Sequence, residues 1–187
     1  MIFFKIFCVV FFDILALYMF FDAIYVLFFG APAISSSSET EEKLVKLLIK
    51  LSKKRNFVFM DLGCGNGRCI LKLSKKFNDA SFIGVEVNPV ICFYCNLKKF
   101  FLRRRNVLFV RRNIFKLNIK KYKPDFIYLY LGEALSLKFS EKLKNEIDSD
   151  TYIISNKFEL SFLKLTNIVK YNTLINGPLR VYKNRSK

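Results

Sequence analysis

The chain contains no histidine, which removes the commonest general base and the commonest metal ligand together. Cysteine is present without a framework. Five residues stand at 8, 64, 69, 92 and 95, an odd number with no disulfide-scaffold spacing, which favours free thiols in a reducing compartment. Cys92-x-x-Cys95 has redox spacing but falls in an expected helix with no second such pair, so it reads as packing, and no metal site is expected. Acid is scarce: 15 Asp and Glu face 32 Lys and Arg, for a net charge of +17. Arg103–Arg105, Arg111–Arg112 and Lys120–Lys121 are the densest basic clusters. They suit nucleic acid, but a solvated surface or one facing anionic lipid is the default for such an excess, and nucleic acid is not the expected partner. No internal repeat divides the 187 residues, a length that accommodates one ordinary domain and an appendage.

The appendage comes first. Ile6–Phe29 is apolar apart from Asp13 and Asp22. As a helix it would span ~36 Å, against a hydrocarbon core of ~30 Å. A cleaved signal peptide, with Lys5 as its basic region and Ala31-Pro32-Ala33 as its cleavage site, is the rival reading, but the apolar stretch is long for one. Residues 1–30 carry −1 (Lys5 against Asp13 and Asp22), leaving +18 on residues 31–187. The positive-inside rule then predicts a single-pass membrane protein with its domain on the cytoplasmic side.

After a linker of small residues, Ser38-x-x-Glu41 offers a capping box, and Leu44, Leu47, Leu48 and Leu51 give the next helix one apolar face. The organising stretch is Phe57–Arg68, FVFMDLGCGNGR. Phe57–Met60 reads as a buried parallel strand, Gly63, Gly65 and Gly67 as a tight turn, and Ile70, Leu71 and Leu73 as the start of a helix. This is the front of a nucleotide-binding βαβ unit, but not the dinucleotide type, because Arg68 stands where the third glycine of GxGxxG belongs. Ser81–Val87 is the second strand, with Glu86 near its end. Asn88 and Pro89 open the next helix, whose buried face the spacing assigns to Val90, Phe93, Leu97 and Phe101. Val107–Val110 is the third strand, followed by Asn113. Asp125–Leu131 is the fourth, leading through Gly132 and Glu133 into a helix over Leu137–Ile147. Thr151–Ser155 is the fifth. Thr166–Leu174 and Leu179–Lys183 flank Asn176-Gly177, a hairpin signal.

The pattern DxGxGxG, Asp61 to Gly67, resembles motif I of class I S-adenosylmethionine (SAM) methyltransferases. The resemblance implies that Gly63, Gly65 and Gly67 wrap the methionine end of SAM, that Asp61 meets its amino group, that Glu86 accepts the ribose hydroxyls, and that Asn113, where the family often has Asp, contacts the adenine. Beyond motif I, the order of EKLVKLL, DLGCGNGR, VEVNPVICFY, RRNIFK and EALSLKFSEKLKNEI resembles the small membrane-anchored protein lysine methyltransferases related to the enzymes acting on the ATP synthase c-subunit and the adenine nucleotide translocase. It covers most of residues 25–160. Ser35-Ser36-Ser37 replaces the Pro-Thr-Pro common in that family, and Leu131-Gly132-Glu133 departs from its apolar, often proline-containing segment.

The expected fold is therefore α/β: a Rossmann-like class I methyltransferase sheet with a C-terminal antiparallel hairpin, preceded by one N-terminal transmembrane helix. Residues 1–30 form the anchor and 31–187 the domain. The expected activity is lysine methylation of an integral membrane protein at the lipid bilayer, with the c-subunit of ATP synthase a candidate. Glu133 is the candidate catalytic residue, either orienting the amine or simply a solvated loop acid. Ser36 either approaches the cofactor or only forms the helix entry. An RNA or DNA methyltransferase is a rival, although the place after the fourth strand has neither the proline-containing motif of amino-group base methylation nor a cysteine nucleophile. A non-catalytic SAM-binding membrane protein is another.

Overall fold

The computed structural model describes residues 2–29, 36–148, 150–160, 163–170 and 177–183. The chain forms two compact units, Met1–Ala33 and Ile34–Lys187. The first is a single helix, α1 (Ile2–Phe29), whose 28 residues measure ~42 Å along the axis. Its window Phe3–Phe20 has a mean hydropathy of 2.2, and by length and composition it qualifies as a candidate membrane span.

The second unit contains α2 (Ser38–Leu51), β1 (Val58–Leu62), α3 (Arg68–Lys76), β2 (Ser81–Glu86), α4 (Pro89–Phe101), β3 (Val107–Arg111), β4 (Phe126–Leu129), α5 (Glu133–Glu146), β5 (Tyr152–Asn156), β6 (Leu165–Val169) and β7 (Leu179–Lys183). The strands form one sheet in the order β3-β2-β1-β4-β5-β7-β6. Strands β1 to β5 are parallel, and β7 pairs antiparallel with both β5 and β6. This is the expected α/β sheet with its antiparallel C-terminal pair. Of the hairpin signal, residues 171–176, Asn176 among them, lie outside the described residues. The chain starts at β1, winds outward to β3, then returns to β4 on the other side of β1. The strand order therefore reverses between β1 and β4, and a crevice opens at their carboxyl ends.

One face of the sheet buries Phe57, Phe59, Phe82 and Phe109 with α2, α3 and α4; the other buries Met60, Leu62, Ile83 and Ile127 with α5. The leucine face of α2 packs as its spacing predicts, with Leu44, Leu47 and Leu48 buried. Its cap is shifted by one residue: Ser37, not Ser38, accepts the Thr40 N–H, at 3.2 Å. Glu41 does not reach back to the cap, because α3 supplies it with better partners, described below.

The largest departure concerns α4. Phe93 and Phe101, assigned by spacing to its buried face, are 70% and 71% exposed, and Val90 and Leu97 are exposed as well. The helix instead meets the sheet through Cys92 and Cys95. The reason is volume. The Phe109 ring already fills the space above the sheet, so close to Gly84 that an added Cβ there would lie 2.6 Å from Phe109 Cδ1 and 2.8 Å from Cys64 Sγ. Only small side chains fit between that ring and the helix axis. The Cys92-x-x-Cys95 pair is thus packing, as its isolation suggested. Gly84→Ala is expected to cost ~1–3 kcal/mol by overpacking, measured as a lower urea midpoint with unchanged slope. Phe109→Leu in the same chain should restore part of the loss.

Candidate active site

The site is built around the turn that joins β1 to α3. Gly63, Gly65 and Gly67 all have positive φ, at 81°, 51° and 71°. Gly65 is the half-buried open corner: a Cβ built there meets nothing within 4 Å, so the turn leaves open space where a side chain would stand. Its peptide is held on both sides. Its N–H donates to Glu86 Oε2 at 3.0 Å, and its carbonyl accepts from Cys95 Sγ at 3.2 Å.

Glu86 is 7% exposed, and its other oxygen accepts the N–H groups of Val87 and Asn88 at 2.8 and 2.9 Å. A carboxylate has about four lone-pair positions, so three backbone bonds leave one for a ligand. The sequence pattern pointed to a ligand role alone for Glu86; its work within the protein is to join the turn after β1 to the start of α4.

Asp61, at the end of β1, is 4% exposed, and its carboxylate accepts no hydrogen bond among the described residues. Burial, reinforced by the charge of Glu86, raises its pKa to about 8. Two acids thus converge on the glycine turn of a strongly basic domain. Such a pair suits a ligand that brings an ammonium group and hydroxyls, and the open corner at Gly65 suits one that lies against backbone. SAM meets each of these requirements.

The remaining expected residues fall at the rim. Asn113 is exposed, and its Oδ1 accepts the Phe115 N–H at 2.9 Å, capping a short 3-10 turn. Glu133 is exposed as the first residue of α5, where a negative charge complements the helix dipole. Its loop is close to the turn: a Cβ on Gly63 would lie 3.3 Å from Leu131 Cδ2. Ser36 Oγ lies 2.6 Å from the buried Tyr128 hydroxyl, which also accepts from Asn156 Nδ2 at 3.1 Å.

Several supporting residues carry little or no signal in the sequence. Glu41, 1% exposed, binds Arg68 Nε and Lys72 Nζ, each at 2.8 Å. Arg68 also donates to the Ser36 carbonyl at 2.6 Å. The first turn of α3 is thereby clamped to the entry of α2. Arg68 has a sequence signal, since it replaces a glycine of the dinucleotide pattern; Tyr128 reads only as a strand residue, and Asn156 falls just past the expected fifth strand.

Asp61 links the site to pH. Its pKa is higher in the folded than in the unfolded chain, so the fold holds a proton that the unfolded chain releases. Its stability contribution is complete below ~pH 4, the unfolded carboxylate value, and is lost as pH rises to about 8, by up to ~1.4 kcal/mol per pH unit. Asp61→Asn should therefore stabilise the ligand-free protein, with a melting-temperature gain that grows from pH 4 to 8 and then levels. A gain independent of pH would contradict this account.

The ANTKMT methyltransferase domain family matches residues 61–167, more than half of the chain. The chain is 27% identical over 134 residues to a protein-lysine N-methyltransferase of Saccharolobus islandicus, covering 70% of this chain and 81% of that one. It is 26% identical over 133 residues to the ATP synthase c-subunit lysine N-methyltransferase of Caenorhabditis elegans, covering 69% of this chain and 66% of the other. In fold it is similar to an RNA methyltransferase from Salinibacter ruber, solved with S-adenosyl-L-homocysteine, with a TM-score of 0.71, 16% identity, and 82% and 95% of the two chains covered. The sheet order, the glycine turn with its two acids and the family match agree: the chain belongs to the ANTKMT methyltransferase domain family and is a SAM-dependent methyltransferase.

Proposed function

We propose that the protein is a lysine N-methyltransferase acting on a membrane protein, held to the bilayer by α1 with its domain on the cytoplasmic side. The observation that carries the reading is the pairing of Asp61 and Glu86 around the glycine turn, in a family whose relatives include protein-lysine methyltransferases. Gly63, Gly65 and Gly67 receive the methionine end of SAM, Asp61 its amino group, Glu86 a ribose hydroxyl and Asn113 the adenine edge. Bound SAM supplies a methyl group on a sulfonium, open to in-line displacement.

The chain's own task is positioning. The reacting atoms need to lie ~3–3.5 Å apart, and the clamped turn and the β4–α5 loop set the two sides of that approach. A lysine nucleophile, with a reference pKa of ~10.4, must lose its proton. The half-buried Tyr130 and the buried Leu131 make the end of β4 partly apolar, which disfavours the ammonium form. Glu133 orients the incoming amine from the start of α5.

The acceptor is a lysine in a loop or helix end of an integral membrane protein. The c-subunit of ATP synthase is the first candidate, because two relatives bear its name. Tethering by α1 raises the effective concentration of such targets without any new contact.

Glu86→Ala should weaken SAM binding by ~1.5–3 kcal/mol, the scale for a hydrogen bond to a charged group, in calorimetry at a temperature where the variant is folded. Gly65→Val should abolish binding, because its side chain would fill the open corner; unchanged affinity in both variants removes the cofactor assignment. The acceptor is tested by incubating the full chain with labelled SAM and native membranes. Label on a lysine of an integral membrane protein is expected; label confined to RNA or to soluble proteins would refute the substrate reading.

A further inference from the structure

We propose that the outward face of α4 docks on the headgroup boundary of an anionic lipid bilayer, as an in-plane interfacial helix separate from α1. Val90, Phe93, Tyr94, Leu97, Phe100 and Phe101 recur at i, i+3, i+4, i+7, i+10 and i+11, the spacing of one continuous helical stripe. In a soluble domain such a stripe turns toward the core. Here the core side is taken by Cys92 and Cys95, and the stripe faces out, with Phe93 70%, Phe100 76% and Phe101 71% exposed. Rings of this size, side by side on one helix, make the kind of contiguous apolar patch that marks an interaction surface.

Charge identifies what covers it. Between Glu86 and Asp125 the chain has eleven Lys and Arg and no Asp or Glu. Lys98 borders the stripe half-buried beside Tyr94, Arg103 and Arg105 stand exposed just past its end, and Arg111 and Arg112 are exposed at the end of β3. An apolar helical face bordered by cations, with no acid among them, is the form of a helix lying in the plane of an anionic surface. A second copy fits badly, since pairing two such faces sets the cations that border one against those that border the other. RNA fits less well than lipid, because Val90 and Leu97 offer no ring for a base.

The face is coupled to the site. Lys98 Nζ lies 5.0 Å from the Tyr94 ring centroid and donates to the Asn66 carbonyl, within the glycine turn, at 3.1 Å. The start of α4 lies three residues past Glu86, so docking along this helix brings the rim of the acid pair to headgroup level. The proposal shares with the functional reading only the premise that the domain works at a membrane.

The chain has no tryptophan, so one introduced on α4 reports alone when excited selectively over the nine tyrosines. Phe100→Trp in the full chain, mixed with phosphatidylcholine vesicles containing phosphatidylserine, should show a blue-shifted emission that brominated acyl chains quench, and more strongly than in phosphatidylcholine alone. Leu137→Trp, on α5 across the sheet, should stay unshifted and unquenched. Four results would overturn the proposal: no quenching at Phe100→Trp; quenching equal in the two lipid mixtures or equal at the two positions; a blue shift that grows with protein concentration in detergent without lipid, the mark of a second copy; and a blue shift produced by oligoribonucleotide in place of lipid. The readout is depth, not methyl transfer, so its failure is distinct from failure of the lysine assignment.

Discussion

The arrangement depends on one buried carboxylate. Glu86 ends the second strand with its charge out of water, and three backbone N–H groups compensate that desolvation: one from the turn after β1 and two from the entry to α4. The Glu86 carbonyl also accepts the Arg112 N–H at 3.0 Å, joining the end of β3 to the same point. A single residue therefore fixes where the glycine turn sits, where α4 begins and how the edge strand ends. The Gly65 peptide is held by Glu86 on one side and a thiol on the other, so the fold itself fixes the shape of the turn.

The same charge unsettles its neighbour. Asp61 has no donor among the described residues and lies buried in the field of Glu86, which is why it holds its proton to about pH 8. Glu41 shows the contrast. It is as buried as Asp61, yet it has Arg68 and Lys72 beside it and serves as a structural clamp. A buried acid with cations or backbone N–H donors beside it is a fastening, whereas Asp61, with neither among the described residues, costs the fold stability once it ionises. That difference in partners, not in burial, separates Glu41 from Asp61.

Volume decides the outer surface as charge decides the inner one. The Phe109 ring, wedged against Gly67 and Gly84, leaves room above the sheet only for the thiols of α4. The aromatic side of that helix is displaced outward as a result. The close packing around the glycine turn and the exposed apolar stripe thus have one steric origin.

The sequence by itself determined the order of elements, the glycine turn and its two acids, because each rests on local physics: apolar runs for buried strands, glycine where φ is positive, and an acid at a strand end. The leucine face of α2 was legible for the same reason. Tertiary structure decided what local pattern cannot carry. Periodicity shows that α4 has an apolar face, but not which way the face turns, because that depends on the volume left by a residue on another strand. Spacing marked Ser38 and Glu41 as a cap, but Arg68 and Lys72, about thirty residues on, drew Glu41 into an ion pair. Glu86 could be named as an acid in the right place. Only the folded chain, by bringing Gly65 to 3.0 Å from its carboxylate, made it the residue that holds the glycine turn in place.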